Sequence, residues 1–245
     1  MKSTFIPLVV FLVSIHAIGQ DTLYVYGPGG PQAPMDECAK LFSKKFSIPV
    51  KVTAGPESKW IETAKQNADV IFGGAEYMLT QFAMQHPGLV DSTTRTALYK
   101  RAAGILVRPG NPKKIKSFKD LARPGIKLLN VNGAGQLGMW EDIAGKQHLI
   151  PAIQKNIGRS VANTAQAIDV WKSDDSYDAW IVFASWHYRL KDATALIKIP
   201  PAQTVYRGTP IAVTTITDQK ADALKFIKFL QTKEAHNIFI KWGWE

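Results

Sequence analysis

Between Leu23 and Gly74 the chain alternates short extended runs, glycine-broken turns and amphipathic helices, and this alternation restricts the fold more than any other feature of the sequence. Leu23-Tyr24-Val25-Tyr26 reads as a strand, ended by Gly27-Pro28-Gly29-Gly30-Pro31. Apolar residues then recur at Met35, Cys38, Ala39, Phe42 and Phe46, the three-and-four spacing that buries one stripe of a helix. A strand over Ile48 to Val52 follows, then the break Gly55-Pro56-Glu57-Ser58 and a helix carrying Trp60, Ile61 and Ala64. Val70-Ile71-Phe72 returns as a third strand and stops at Gly73-Gly74. Strand, helix, strand, helix, strand predicts a parallel sheet, and an uninterrupted apolar strand predicts one covered on both faces. The three glycine turns then share the carboxyl edge of that sheet, where α/β folds place their ligands.

A second unit repeats the pattern. Lys127 to Val131 reads as a strand and Asn132-Gly133-Ala134-Gly135 as a turn; helices follow around Trp140 and Ile143 and around Ala165, Ile168 and Trp171, then a strand from Ala179 to Ala184. Two extended stretches join the units. Tyr99 to Val107, ended by Arg108-Pro109-Gly110-Asn111-Pro112, reads as one crossing, and Ile197 through Val213 as the return. Two helices close the chain: one is opened by Asp218 as N-cap and buries Leu224, Ile227 and Leu230, and the other carries Ala235, Ile238, Phe239 and Trp242.

The N-terminus reads as a secretory signal. Lys2 precedes the apolar run Phe5 to Val13, which is short for a membrane span, and Ala17 and Gly19 are small enough for cleavage just before Gln20. The expected compartment is the periplasm. Cys38 is the only cysteine, so an intramolecular disulfide is excluded, and it lies too far from the cleavage point to carry a lipid anchor. A net charge of +10 on a chain that is 46% hydrophobic describes a basic globular protein, and export makes nucleic acid the weakest of its anionic partners. Length alone leaves one large domain or two small ones open.

The order of segments, the glycine turns and the ending Ala221-Asp222-Ala223-Leu224-Lys225-Phe226-Ile227-Lys228-Phe229-Leu230 through Glu234-Ala235-His236-Asn237-Ile238-Phe239 resemble the molybdate- and sulfate-type periplasmic binding proteins. Tyr26-Gly27-Pro28-Gly29-Gly30-Pro31, Ala68-Asp69-Val70-Ile71-Phe72-Gly73-Gly74-Ala75-Glu76 and Asn111-Pro112-Lys113-Lys114-Ile115-Lys116-Ser117-Phe118-Lys119-Asp120-Leu121 resemble its accessory colonization factor branch. The resemblance implies an α/β, two-lobe type II periplasmic-binding-protein fold, each lobe a mixed, mostly parallel sheet flanked by helices. It puts a signal at 1–19, one lobe at 20–107 and 200–245, and an inserted lobe at 108–199. It also implies a hinge closing on a ligand held by turns and helix N-termini, where free N–H groups favour an anion.

Carried over by local order, the ligand positions are Gly29 and Gly30 after the first strand, Ser58 at the second turn, Gln136 and Leu137 after Gly135, Thr164 at a helix start, and Phe183 to Ser185 at the end of a second-lobe strand. Glycines replace the serine of molybdate binders in the first turn, and Phe183 replaces their tyrosine, which moves the expectation from molybdate to sulfate, with a small organic carboxylate as the alternative. Arg207, beside the glycine of the return crossing, is a further candidate because a guanidinium offers forked donors. Bland readings compete: Gly29-Gly30 as a tight turn and Ser58 as a helix cap. Ser185, His187 and Asp192 are the residue types of a hydrolase triad, but no G-x-S-x-G elbow exists, and the scattered histidines form no metal motif. The expectation is a monomeric binding protein without enzymatic activity, cofactor or metal, delivering a small anion to a membrane permease or chemoreceptor, with an adhesion or colonisation surface protein as the rival.

Overall fold

The structure, a computed structural model, describes residues 21–245, so the signal read at 1–19 lies outside the described residues. The first sheet is built from β1 (Leu23–Gly27), α1 (Gln32–Phe46), β2 (Val50–Ala54), α2 (Ile61–Asn67), β3 (Val70–Phe72) and α3 (Glu76–Gln85), after which β4 (Thr96–Ala97) adds a short edge. The chain then passes to β5 (Arg101–Val107), β6 (Leu128–Val131), α4 (Met139–Gly145), α5 (Ile150–Asn156), β7 (Ile157–Val161), α6 (Thr164–Ser173), β8 (Ala179–Phe183), β9 (Ala195–Lys198) and β10 (Tyr206–Arg207). It returns to the first sheet through β11 (Pro210–Val213) and ends in α7 (Lys220–Leu230) and α8 (Lys233–Lys241).

The strand order of the first sheet is β2-β1-β3-β11-β4, with β1 parallel to both neighbours and β11 antiparallel. The second is β10-β5-β8-β6-β7 with β9 also on β5, parallel only around β6. Both sheets are mixed and flanked by helices. Alternation along the buried strands sends side chains to two cores: Val70 and Phe72 join Met35, Phe42 and Phe226, whereas Ile71 joins Trp60, Leu79 and Phe82 on the opposite face. A strand buried on both faces therefore reads as one apolar run, as Val70-Ile71-Phe72 does.

Several local expectations shift. The second strand runs Val50–Ala54 rather than from Ile48, and α3, α5 and β7 arise where no pattern was read. The α7 N-cap position is Gln219, not Asp218, and Leu224 is 40% exposed while Ala223, Phe226, Ile227, Phe229 and Leu230 are buried. The helix starts one residue later than the sequence suggested, and its buried stripe takes in the aromatics Phe226 and Phe229. Arg101–Val107, read as a crossing and assigned to 20–107, is a central strand of the second sheet, with β8 on one side and β9 and β10 on the other. A buried seven-residue run must pair its backbone polar groups, and a ladder does that where a crossing would not.

Candidate functional site

Between the two sheets lies a cleft of about 370 Å³, lined by Pro28, Gly29, Gly30 and Gly55 from turns of the first sheet and by Ala134, Asn163 and Thr164 from the second. All of these belong to turns or helix starts that follow strands, so the cleft sits at the edge predicted by the alternation. Asn163 caps α6 through its side chain, accepting from Gln166 N at 3.0 Å, which leaves Thr164 as the first residue of the helix. Gln136 Nε2 donates to Thr164 Oγ1 at 3.0 Å and ties the turn after β6 to that helix start. Its Oε1 is buried with no partner among the described residues.

Arg101, at the first position of β5, lies behind the cleft wall rather than in its lining, whose charged members are Glu57 and Arg189. It is 1% exposed, and its side chain reaches the glycine turns of the first sheet. Nη2 donates to the Gly74 carbonyl at 2.7 Å, while Nε and Nη1 have no partner among the described residues. The guanidinium lies 3.8 Å from the Phe183 ring centroid and 5.4 Å from that of Trp244. Burial pulls its pKa down to about 9, only partly offset by Tyr77, so it remains cationic at neutral pH. Its nearness to the first turn depends on glycine: a Cβ on Gly30 would stand 2.6 Å from Nη1. Among the described residues no carboxylate pairs with this charge, and a buried unpaired ion costs several kcal/mol.

The two halves touch across the cleft. Arg189 Nη1 donates to the Gly29 carbonyl at 2.9 Å, and Leu137 N donates to the Tyr77 hydroxyl at 3.3 Å. Gly135, at φ +88°, presses its backbone against Gly74, where a Cβ would lie 3.1 Å from the Gly74 oxygen.

Of the residues singled out from the sequence, Gly29, Gly30 and Thr164 line the cleft. Gln136 and Ser185 are buried behind its wall, and Phe183 is buried beneath Arg101 rather than facing the cleft. Leu137 is half exposed, its N–H meeting Tyr77. Ser58 is exposed in a 3-10 turn, Glu57–Lys59, and does not line the cleft. Arg207 also lies off the lining, its Nη2 3.2 Å from Asp142 Oδ2. His187 Nδ1 meets Thr194 Oγ1 at 2.9 Å. Sequence reasoning missed Arg101 and Arg189. The available signal for Arg101 was a lone charge opening an otherwise apolar run, Arg101–Val107.

Residues 23–245 match the model of the bacterial extracellular solute-binding proteins. The chain belongs to that family. It is similar to PEB3 of Campylobacter jejuni, whose L-phospholactate-bound crystal structure superposes with a TM-score of 0.85 at 31% identity, covering 91% of this chain and 99% of that one. It is 26% identical to the molybdate-binding protein ModA of Mycobacterium tuberculosis over 246 positions, 87% of this chain and 90% of the relative. The sulfate-binding protein SubI of Mycobacterium tuberculosis, at 18% identity and a TM-score of 0.76 over 91% of this chain and 86% of that one, shares the fold. The two-lobe, type II architecture and the molybdate- and sulfate-type kinship expected from the sequence therefore hold for this solute-binding protein. Among the described residues no helix is long and apolar enough to cross a membrane, and no group of side chains is arranged to hold a metal ion.

Proposed function

We propose that this solute-binding protein captures a small anion between its lobes in the periplasm, with Arg101 as the cation that the ligand neutralises. The observation that carries the reading is Arg101 itself: a guanidinium 1% exposed, behind the lining residue Gly30, with two nitrogens unpartnered and no carboxylate against it among the described residues. An oxyanion or carboxylate matches its fork of donors. Gly30 and Gly74 allow close approach to the guanidinium, and Thr164, the first residue of a helix capped by Asn163, adds a hydroxyl and a backbone N–H at the cleft wall. Gly29, Gly30 and Thr164 are the remaining contacts we assign, with Gln136 holding Thr164 from behind the wall and Phe183 supporting the cation from beneath.

The relatives support an anion without agreeing on one: the named ligands are molybdate, sulfate and L-phospholactate. Sulfate and a small organic anion are both compatible with a guanidinium pole. The protein acts as a monomer that presents its ligand to a membrane permease or chemoreceptor and performs no covalent chemistry. Titration calorimetry of the purified, dialysed protein with sulfate, molybdate, phosphate and L-phospholactate tests this. Binding of at least one anion, lost in Arg101→Met, is the expected result; no heat with any of them, or binding untouched by Arg101→Met, overturns it.

A further inference from the structure

The cleft is far larger than a tetrahedral oxyanion needs. Its 370 Å³ compares with about 30 Å³ for each water of the liquid, and an oxyanion displaces only a few of these. The extra space is mostly apolar, although Gln32, Glu57 and Arg189 also line it. On the first-lobe side Trp60, Ile71, Leu79 and Phe82 bring core side chains to its wall, and Ile168 and Trp186 face them from the second lobe.

Two parts of its wall differ in charge. At one, the lining residue Gly30 and, behind it, Gly74 back onto the Arg101 guanidinium, with Met78 Sδ 3.2 Å from where a Gly74 Cβ would stand. At the other, the Trp60 and Phe82 ring centroids lie 5.8 Å apart, Phe82 meets His86 in a tilted contact at 4.7 Å, and His86 contacts Glu57 at 2.8 Å. Glu57 also lines the cleft. A ligand with an anionic group at each end would therefore set one of them against a carboxylate, whereas an apolar end would bury against the aromatic pair.

We propose that the ligand is an organic anion with one charged head and an apolar body, the head held at the Arg101 end and the body seated against Trp60 and Phe82. This rests on the anion reading above and narrows it. Met78, flexible and polarisable, lies where head and body meet and accommodates bodies of differing shape.

The test compares heads with and without a body: calorimetry with inorganic phosphate against phenyl phosphate, acetate against 3-phenylpropionate, and the uncharged 3-phenylpropanamide. Burying a phenyl group predicts that each bodied anion binds roughly ten- to hundredfold more tightly than its bare head, and that the amide binds more weakly than the acid. Equal affinity for bare and bodied anions overturns this proposal and leaves the anion reading standing. Absence of binding by every anion, or an amide that binds as well as the acid, overturns both. Ile168→Trp, and Ala165→Phe at an exposed lining position, narrow the chamber without touching Arg101. Both should lower affinity for phenyl phosphate relative to phosphate; an unchanged ratio in folded protein counts against the chamber.

Discussion

The guanidinium of Arg101 rests 3.8 Å from the ring centroid of Phe183, and its one hydrogen bond, at 2.7 Å, goes to the Gly74 carbonyl rather than to an acid. The ring face attracts the cation, and that contact contributes about 2 kcal/mol when desolvated, less than the several kcal/mol that burying an unpaired ion costs. Anion-free protein thus carries a destabilising charge that an anion offsets.

Arg101→Met should therefore separate stability from binding. In anion-free buffer the variant is expected to melt at or above the parent, each kcal/mol recovered raising Tm by about 2–4 °C for a chain of this size. Affinity for any anion that stabilises the parent should fall roughly thirtyfold or more. Melting curves with and without ligand check both halves; a variant that melts lower yet keeps its anion response contradicts the assignment.

Gly30 and Gly29 should respond differently to alanine. A Cβ at Gly30 would meet Arg101 Nη1 at 2.6 Å, whereas one at Gly29 would meet only Gly55 Cα at 3.8 Å, an ordinary contact. Gly30→Ala forces the guanidinium to shift and should weaken anion binding at least about tenfold with the fold intact. Gly29→Ala should stay near parental affinity by titration calorimetry.

Arg189→Ala removes the hydrogen bond to the Gly29 carbonyl that spans the cleft. A single such bond is worth about 0.5–1.5 kcal/mol, so ligand should leave roughly two- to tenfold faster while association is little changed. Stopped-flow dissociation is the measurement, and an unaltered off-rate would mean that this contact does not hold the lobes together.

Cys38 should be silent to thiol reagents in the native state. Burial, reinforced by Glu37 and Glu234, pushes its thiol from 9.0 up to about 12, and it is fully buried on α1. At pH 8 labelling should follow urea unfolding alone. Below pH 9 the thiol is protonated in folded and unfolded chains alike; from pH 9 to about 12 only the unfolded thiol ionises, so its contribution to stability is lost across that window.

On α7, Leu224→Ser should change stability by less than about 0.5 kcal/mol because Leu224 is 40% exposed. Phe226→Ala, at a fully buried position packed 5.1 Å from Phe42, should cost about 3–5 kcal/mol. Urea titrations of the two variants distinguish the observed stripe from one centred on Leu224.

The sequence by itself determined the α/β class, the glycine turns at one sheet edge, and Gly29, Gly30 and Thr164 as lining residues, because strand period, turn chemistry and helix starts are local properties. Only the tertiary structure decided that Arg101–Val107 is a central strand, since its partners β8, β9 and β10 lie from 179 to 207 in the chain. The same pairing carries Arg101 to the backs of Gly30 and Gly74 and puts Phe183 beneath it. A charge at the head of an apolar run does not say in sequence whether it will be solvated or buried. That depends on which strands flank it, and ladder pairing across nearly eighty residues has no local signature.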